Sequence, residues 1–140
     1  MAKQINLVVV TPERLVLDEM VDDVAIPGRD GEFGVLPEHT LLLSMLDTGV
    51  LTYHRGGQKW MLALSGGYAE VTPEKVTVLA DEAEKPEEID IERARLAREH
   101  AMKELKAGEQ EIDFIRSQAK LQKAAVQLQV AAKGQERELE

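Results

Sequence analysis

The chain has 140 residues, a formal net charge of −9, 44% hydrophobic residues and no cysteine. This length accommodates one domain or two very small ones, and the missing cysteine excludes a disulfide framework and any cysteine-ligated metal site. The acidic charge argues against nucleic acid or an anionic membrane surface as the main partner.

The start of the chain, MAKQINLVVVTPE, has no apolar region before a small-residue cleavage site, so we expect no secretory signal. The longest apolar runs, INLVVV and TLLLSML, are far shorter than the roughly 20 residues that a transmembrane helix needs. We therefore expect no direct insertion into a membrane.

The first part of the chain consists of short apolar runs that turn residues interrupt. Turn signals about every 8–12 residues with β-branched runs are typical of an all-β sandwich or barrel, and we predict about eight to ten short strands. Gly56-Gly57 predicts a two-residue hairpin turn, and Gly66-Gly67 predicts a further break between strands. The runs are Ile5–Val10, Arg14–Leu17, Met20–Pro27, Thr40–Leu46, Val50–His54, Lys59–Leu64, Tyr68–Val71 and Lys75–Ala80.

Glycine and proline crowd into PGRDGEFGVLPEH, at residues 27–39, which we interpret as a loop. No Lys-Ser/Thr pair follows the glycines and no helix opens there, so the segment does not meet the requirements of a phosphate-binding loop. Asp30 and Glu32 lack the later ligands of an EF-hand.

An acidic segment, DEAEKPEEID at residues 81–90, is interpreted as a charged hinge. Pro86 disfavours continuation of the last strand, and the acids after it suit the start of a helix. Gly108 separates this helix from a second one, which Gly134 ends, and the two form a helical hairpin. Apolar residues at helical spacing are Ala94, Ala97, Ala101 and Leu105 in the first helix, and Phe114, Leu121, Ala125, Leu128 and Ala132 in the second.

Alanine dominates the facing stripes of this hairpin. Alanine has the best helix propensity, but it buries little apolar area, and burial is worth only about 25 cal/mol per Å². We therefore expect helices that form readily and hold each other weakly, as in a mobile regulatory arm. Residues 1–84 are predicted to form the β-sandwich domain, and residues 85–140 the acidic hinge and the hairpin.

Few residues point to catalysis or metal binding. His39, His54 and His100 fall in separate elements, and we expect none of them to have a partner three or four residues away. The serines lack the context of a nucleophile elbow, so we predict a protein that is not an enzyme and holds no metal or cofactor. The basic residues of the second helix form either a solvated face or a surface that docks on an acidic partner: Arg116, Lys120, Lys123 and Lys133.

Four segments of the chain resemble the ε subunit of bacterial and chloroplast F-type ATP synthases. PGRDGEFGVLPEHTLLL resembles the glycine-rich loop and following strand of that family, and LSGGYAEVTPEKVTVLADEAE resembles its last strands. EIDIERARLA and IDFIRSQAKLQKAAVQLQV are similar to its two C-terminal helices. Their order and spacing match over essentially the whole chain.

The resemblance implies an N-terminal antiparallel β-sandwich followed by an α-helical hairpin, in agreement with the residue pattern. It implies a non-catalytic central-stalk subunit of a proton-translocating ATP synthase, peripheral on the cytoplasmic face of the bacterial inner membrane. The sandwich would bind the γ subunit and the rotor c-ring. The hairpin would fold against the sandwich, or extend along γ toward the α/β catalytic head and inhibit ATP hydrolysis.

Individual residues take roles from the same resemblance. Gly31, Glu32 and Phe33 would contact the rotor ring, and His39 would contact the γ subunit. Many relatives have a proline where this chain has Leu41, so we expect the strand there to start slightly earlier. The extended hairpin would contact the catalytic head through Arg116, Lys120, Lys123 and Lys133.

Some relatives bind ATP through an Ile/Leu-Asp-x-x-Arg-Ala motif, which Ile89, Asp90, Arg93 and Ala94 match. Two further basic positions of the family fall on Lys123 and Gln127, and an arginine position falls on His100, so positive charge is lost. Each lost charge-assisted bond to phosphate costs about 1–3 kcal/mol. We expect ATP binding to be weak or absent, and the competing role for Asp90 and Arg93 is to cap and brace the hairpin.

One different class of function stays open, a β-sandwich ligand-binding module with a helical tail. Such modules usually present exposed aromatic side chains to their ligand. The aromatic residues that this sandwich offers are Phe33, Tyr53, Trp60 and Tyr68.

Overall fold

The computed structural model describes residues 3–107 and 111–139. Contacts between Cα atoms divide the chain into two compact units, Met1–Glu84 and Lys85–Glu140. The first unit contains the strands and the second the helices. The strands are β1 (Ile5–Val10), β2 (Leu15–Val21), β3 (Asp23–Gly28), β4 (Gly31–Val35), β5 (Leu42–Leu46), β6 (Gly49–Arg55), β7 (Gln58–Val71) and β8 (Lys75–Glu84).

The eight strands form one hydrogen-bonded sheet in the order β2-β1-β8-β7-β5-β3-β4, with β6 pairing with β3 and β7. The 14-residue strand β7 pairs with β6 along its first part and with β5 along its last part, so the sheet folds over into two layers. The predicted sandwich of about eight to ten strands is thereby confirmed. One pairing differs from the expected antiparallel arrangement, because β1 runs parallel to β8.

Strand β7 changes direction at Gly66-Gly67 without ending there. Pairing with β8 continues on both sides of the glycines, from Leu64 opposite Ala83 to Gly67 opposite Ala80. Gly67 has a φ of +116°, and a Cβ on it would lie 2.1 Å from the carbonyl oxygen of Leu79. The predicted break between strands is therefore wrong, since the glycine pair lets one strand cross from one layer to the other.

The other glycine pair makes the predicted turn. Arg55 pairs with Gln58 across Gly56-Gly57, and these glycines have φ angles of +58° and +80°. Two consecutive positive φ angles are the signature of the two-residue hairpin turn.

Residues 27–34 form a β-hairpin rather than the predicted loop. Gly28 at the end of β3 pairs with Gly31 at the start of β4, so only Arg29 and Asp30 lie in the turn. The glycines that suggested irregular backbone instead occupy the paired positions on either side of a tight turn.

The core lies between the two layers and is built from aliphatic side chains. Strand β1 shows the alternation that produces it, because Ile5, Leu7 and Val9 are fully buried while the residues between them are partly exposed. The other fully buried large side chains are Val21, Val24, Ile26, Val35, Leu46, Leu51, Leu62, Leu64 and Val71.

The acidic segment is more ordered than a hinge. Strand β8 continues to Glu84, and a 3-10 helix at Pro86–Glu88 follows. The first four residues of the segment interpreted as a hinge therefore belong to β8, with Ala83 buried and Asp81 and Glu82 exposed to solvent.

Two helices complete the second unit, α1 (Ile91–Ala107) and α2 (Glu111–Leu139). The buried side chains of the two helices are mostly small, namely Ala94, Ala101, Ser117, Ala124, Val130 and Ala131. As far as their residues are described, neither helix has the length and apolarity to cross a bilayer.

Several details of the predicted hairpin are wrong. Ala97, Phe114, Ala125 and Ala132 are exposed, because the seam of α2 runs through positions 117, 124 and 131, with Leu121 and Leu128 half-buried beside it. Gly134 does not end α2, which continues to Leu139. A glycine inside a helix costs only about 1 kcal/mol relative to alanine, which a long helix tolerates.

Candidate interaction surfaces

An apolar row crosses the outer face of the sandwich. Met45 of β5 stands opposite Tyr68 of β7, and Tyr68 stands opposite Leu79 of β8. Leu79 is opposite Val10 of β1, which in turn is opposite Leu15 of β2. We call Met45, Tyr68, Leu79, Val10 and Leu15 the outer apolar row.

Most of the outer apolar row faces solvent. Met45 is 42% exposed, Tyr68 50%, Leu79 54% and Leu15 58%, and Val10 is half-buried. Leu43, two residues before Met45 on the same face of β5, is 71% exposed. Contiguous apolar exposure of this kind marks a surface that another molecule covers.

His39 lies in the segment that leads into β5. It is half-buried, and its Nδ1 is 2.8 Å from the carbonyl oxygen of Thr40. Around it in sequence, Leu36 and Leu41 are 64% and 76% exposed. Strand β5 begins at Leu42, directly after Leu41.

The predicted rotor-ring residues lie at the start of β4. Gly31 and Glu32 are exposed, whereas Phe33 is half-buried and packs against the core. The β3–β4 turn is joined to the outer apolar row, because the backbone N–H of Arg29 donates to the carbonyl of Met45 over 2.9 Å. The Arg29 guanidinium also lies 3.6 Å from the Met45 sulfur.

The aromatic residues that a ligand-binding module would need are mostly packed inward. Tyr53 is 5% exposed and stacks on Trp60 with ring centroids 6.3 Å apart. Trp60 packs against the core, and the Arg55 guanidinium lies 5.1 Å from its ring centroid. The rings of Tyr53 and Trp60 therefore stabilise the β6–β7 hairpin.

The three histidines have separate partners. His54 Nδ1 is 2.7 Å from the Asp23 carboxylate, and His100 Nε2 is 2.8 Å from Glu104 Oε1. The expectation that no histidine has a partner four residues away is wrong for His100. Within residues 3–107 and 111–139, no three His, Asp or Glu side chains gather in a way that could hold a metal ion.

Residues of the nucleotide-binding motif organise the start of α1. Asp90 Oδ1 accepts a hydrogen bond from the backbone N–H of Arg93 over 3.1 Å, and the Asp90 carbonyl accepts from the N–H of Ala94 over 3.0 Å. Asp90 is thus the N-cap of the helix. Ile89 and Ala94 are buried, at 8% and 3% exposure, and the Arg93 side chain is exposed.

The basic residues predicted on α2 differ in their exposure. Arg116 and Lys120 are exposed and lie together on a cleft of about 340 Å³. Lys123 is half-buried, and Lys133 is exposed further along the helix. The cleft is also lined by Glu104, Ala107 and Asp113.

A carboxylate connects the two helices beside this cleft. The hydroxyl of Ser117, which is 1% exposed, donates to Glu104 Oε2 over 2.5 Å. This hydrogen bond, with the nearby Lys120 ammonium and the His100 ring, lowers the pKa of Glu104 from its ordinary value.

Neither the outer apolar row nor the contact between Ser117 and Glu104 was predicted from the sequence. The row left a signal, because β5 reads LLSML and β8 contains VTVLA, with apolar residues on positions of both faces. For Ser117, the sequence contains no signal of the contact with Glu104 beyond the position of this residue between Phe114 and Leu121.

Family models match both parts of the chain. Residues 4–86 match the ATP synthase delta/epsilon chain β-sandwich domain, and residues 87–132 match the long α-helix domain of the same chain.

Similar proteins span nearly the whole length. The ATP synthase epsilon chain of Syntrophobacter fumaroxidans is 50% identical over 133 residues, covering 95% of this chain and 99% of that protein. That of Nitratidesulfovibrio vulgaris is 48% identical over 130 residues, covering 93% and 97%. A chain in a structure of the Euglena gracilis mitochondrial ATP synthase with its c-ring is 30% identical with a TM-score of 0.79, covering 92% of this chain and 81% of that one.

Proposed function

The chain belongs to the ATP synthase delta/epsilon family as an epsilon-type, non-catalytic central-stalk subunit, and we propose that it joins the γ subunit to the rotor c-ring and restrains ATP hydrolysis. In this proposal the sandwich is the docking platform and the helical hairpin is the regulatory part. The complex is membrane-associated, and we place this subunit peripherally on the cytoplasmic face of the bacterial inner membrane.

The outer apolar row is the observation that most directly supports the proposed contact with γ. Met45, Tyr68 and Leu79 stand side by side on three adjacent strands and are each about half exposed. Burying them against a partner removes apolar surface from water, which is the main driving force of protein association. Leu43 and the segment around His39 extend the same contact, with His39 at its edge.

The rotor-ring contact is proposed for the β3–β4 turn. Its exposed residues are polar or glycine: Arg29, Asp30, Gly31 and Glu32. A polar, charged tip suits the polar loops of a membrane rotor, where charge complementarity selects the partner at little desolvation cost. Phe33 supports this tip from the core side. Because Arg29 bonds to Met45, the two proposed contacts are coupled through one short piece of backbone.

Regulation is assigned to the hairpin. Its seam buries mainly alanine side chains, and so little apolar area holds α2 to α1. A hairpin with such a seam can change its arrangement at low energetic cost. Arg116, Lys120, Lys123 and Lys133 supply positive charge for docking on the α/β catalytic head.

We infer that ATP binds weakly or not at all. The Asp90 carboxylate is used as the cap of α1, and the buried Ala94 is part of the helix seam. Of the phosphate-binding positions, His100 is paired with Glu104 and position 127 holds glutamine. Among these positions only 93 and 123 hold a permanently charged basic residue, so the residues present fit a nucleotide poorly.

Co-purification from native membranes tests the proposal. A tagged chain should recover the γ subunit, and a Tyr68→Ser/Leu79→Ser variant that keeps its fold should recover much less. Recovery of no γ subunit by the tagged parent chain would refute the γ contact. The alternative function, a ligand-binding β-sandwich, is tested by measuring the melting temperature of the chain with added sugars and nucleotides. We expect none of them to shift it.

A further inference from the structure

One charged side chain, that of Glu104 in the last turn of α1, lies beside the α1–α2 seam. The Ser117 hydroxyl of α2 donates a hydrogen bond to Glu104 Oε2 over 2.5 Å. On the other side, His100 Nε2 lies 2.8 Å from Glu104 Oε1. Each carboxylate oxygen therefore has its own partner, one on each helix. Glu104 is itself only partly exposed, at 34% of its side chain.

We propose that His100, Glu104 and Ser117 form a latch that fixes the register of α2 on α1 and holds the hairpin closed. Apart from Ser117 and Val130, the described buried residues of the two helices are all alanines, namely Ala94, Ala101, Ala124 and Ala131. Packing alone therefore distinguishes poorly between one register and the next. A single buried polar group can supply the missing specificity.

Shifting α2 by one turn shows why the latch selects one arrangement. The shift would bring either Asp113 or Leu121 to the position that Ser117 occupies beside Glu104. Asp113 would place a second carboxylate there, and Leu121 offers no donor. In both cases the Ser117 hydroxyl would lose its charged acceptor while it remains buried, which is unfavourable.

Residues on both helices favour the ionised form of the Glu104 carboxyl. Lys120 on α2 and His100 on α1 act on the Glu104 carboxylate. Asp113 and Arg116 line the cleft beside it. The latch is therefore a charge-assisted contact, which is stronger than a hydrogen bond between neutral groups. It depends only on contacts within the hairpin, so it stands whether or not the proposed regulation of hydrolysis holds.

Thiol labelling measures how often the seam opens. The chain has no cysteine, so Ala124→Cys places a single thiol at a seam position that is 1% exposed. In this background, Glu104→Ala or Ser117→Ala should raise the labelling rate by about tenfold, the effect of losing one charge-assisted hydrogen bond. The double variant should label no faster than the faster single variant, because both changes remove the same contact.

Matched variants separate the latch from general effects. Glu99→Ala and Gln118→Ala, at exposed positions of the same helices, should leave the rate unchanged, and Ser117→Thr should retain slow labelling. Ala119→Cys, also exposed, gives the intrinsic reactivity, and circular dichroism checks that each variant stays helical. Unchanged labelling in the single variants, or single effects that multiply in the double variant, would overturn the proposal.

Discussion

Met45 and Tyr68 face each other across β5 and β7, and both side chains are largely open to solvent, at 42% and 50% exposure. Met45 is also the residue to which Arg29 of the β3–β4 turn bonds through its backbone. One cross-strand pair thus connects an apolar surface suited to γ with a polar tip suited to the rotor ring.

Replacing Tyr68 or Leu79 with serine should weaken the γ complex. Each side chain contributes apolar area near the centre of the outer apolar row, so we expect a loss of about 1–2 kcal/mol per substitution, or roughly 5- to 30-fold in Kd. Calorimetric titration with purified γ subunit measures it. Leu96→Ser is the control, because Leu96 is 61% exposed but lies on α1; equal loss in that variant would contradict the assignment.

Reversing the charge of Glu32 should impair coupling more than hydrolysis. Glu32→Lys places a positive charge at the exposed tip, and ATP-driven proton pumping in membrane vesicles should fall while ATP hydrolysis persists. Glu32→Gln should have a smaller effect. Glu74→Lys is the matched change, since Glu74 is exposed in the turn before β8, beyond the other end of the β5–β7 pairing. Normal pumping by Glu32→Lys would argue against a rotor contact there.

The closed hairpin should become less stable in acid. The hydrogen bond from Ser117, together with Lys120 and His100, lowers the pKa of Glu104 below its ordinary value of 4.5. A carboxyl whose folded-state pKa is lowered adds stability above its unfolded pKa, and this stability is lost as pH falls through the folded-state pKa. Hydrogen exchange of the α2 amides should therefore lose protection below about pH 4.5.

The variant Glu104→Gln isolates this effect. It removes the titrating group, so the part of the acid dependence that comes from the latch should disappear. An identical pH profile in this variant and the parent chain would show that other carboxyls control the hairpin.

Gly67→Ala should destabilise the sandwich by about 1–3 kcal/mol or more. The added Cβ would meet the Leu79 carbonyl oxygen at 2.1 Å, and the φ of +116° is unfavourable for any other residue. Gly34→Ala is the control, because a Cβ there meets nothing within 4 Å. Urea denaturation compares the two variants, and equal stability would mean that the bend in β7 does not depend on glycine.

The sequence predicted correctly those turns whose conformation depends only on the residues in and beside the turn. Gly56-Gly57 was identified as a hairpin turn because its flanking strands pair only with each other at that point. The bend at Gly66-Gly67 was not predicted. Whether a glycine pair ends a strand or bends it depends here on the pairing of β7 with β8, which follows later in the chain. Likewise, Gly134 was expected to end α2, but tertiary packing and helix length outweigh a single unfavourable residue.

The candidate surfaces were predictable only in part. The positions of Glu32 and His39 followed from the resemblance to a family, and the structure leaves Glu32 exposed. The outer apolar row depends on which face of each strand turns outward, and this is set by registers among β1, β5, β7 and β8. The contact between Ser117 and Glu104 depends on how two helices meet, which helical spacing within one of them does not specify.

Removal of the hairpin tests the central claim most directly. ATP synthase assembled with a chain that lacks residues 88–140 should retain this subunit, because the sandwich and its outer apolar row are intact. Its ATP hydrolysis should be faster than that of the parent complex, because the helices that we propose to be inhibitory are gone. Unchanged hydrolysis in a fully assembled truncated complex would contradict the regulatory role, and loss of the truncated chain from the complex would contradict docking by the sandwich.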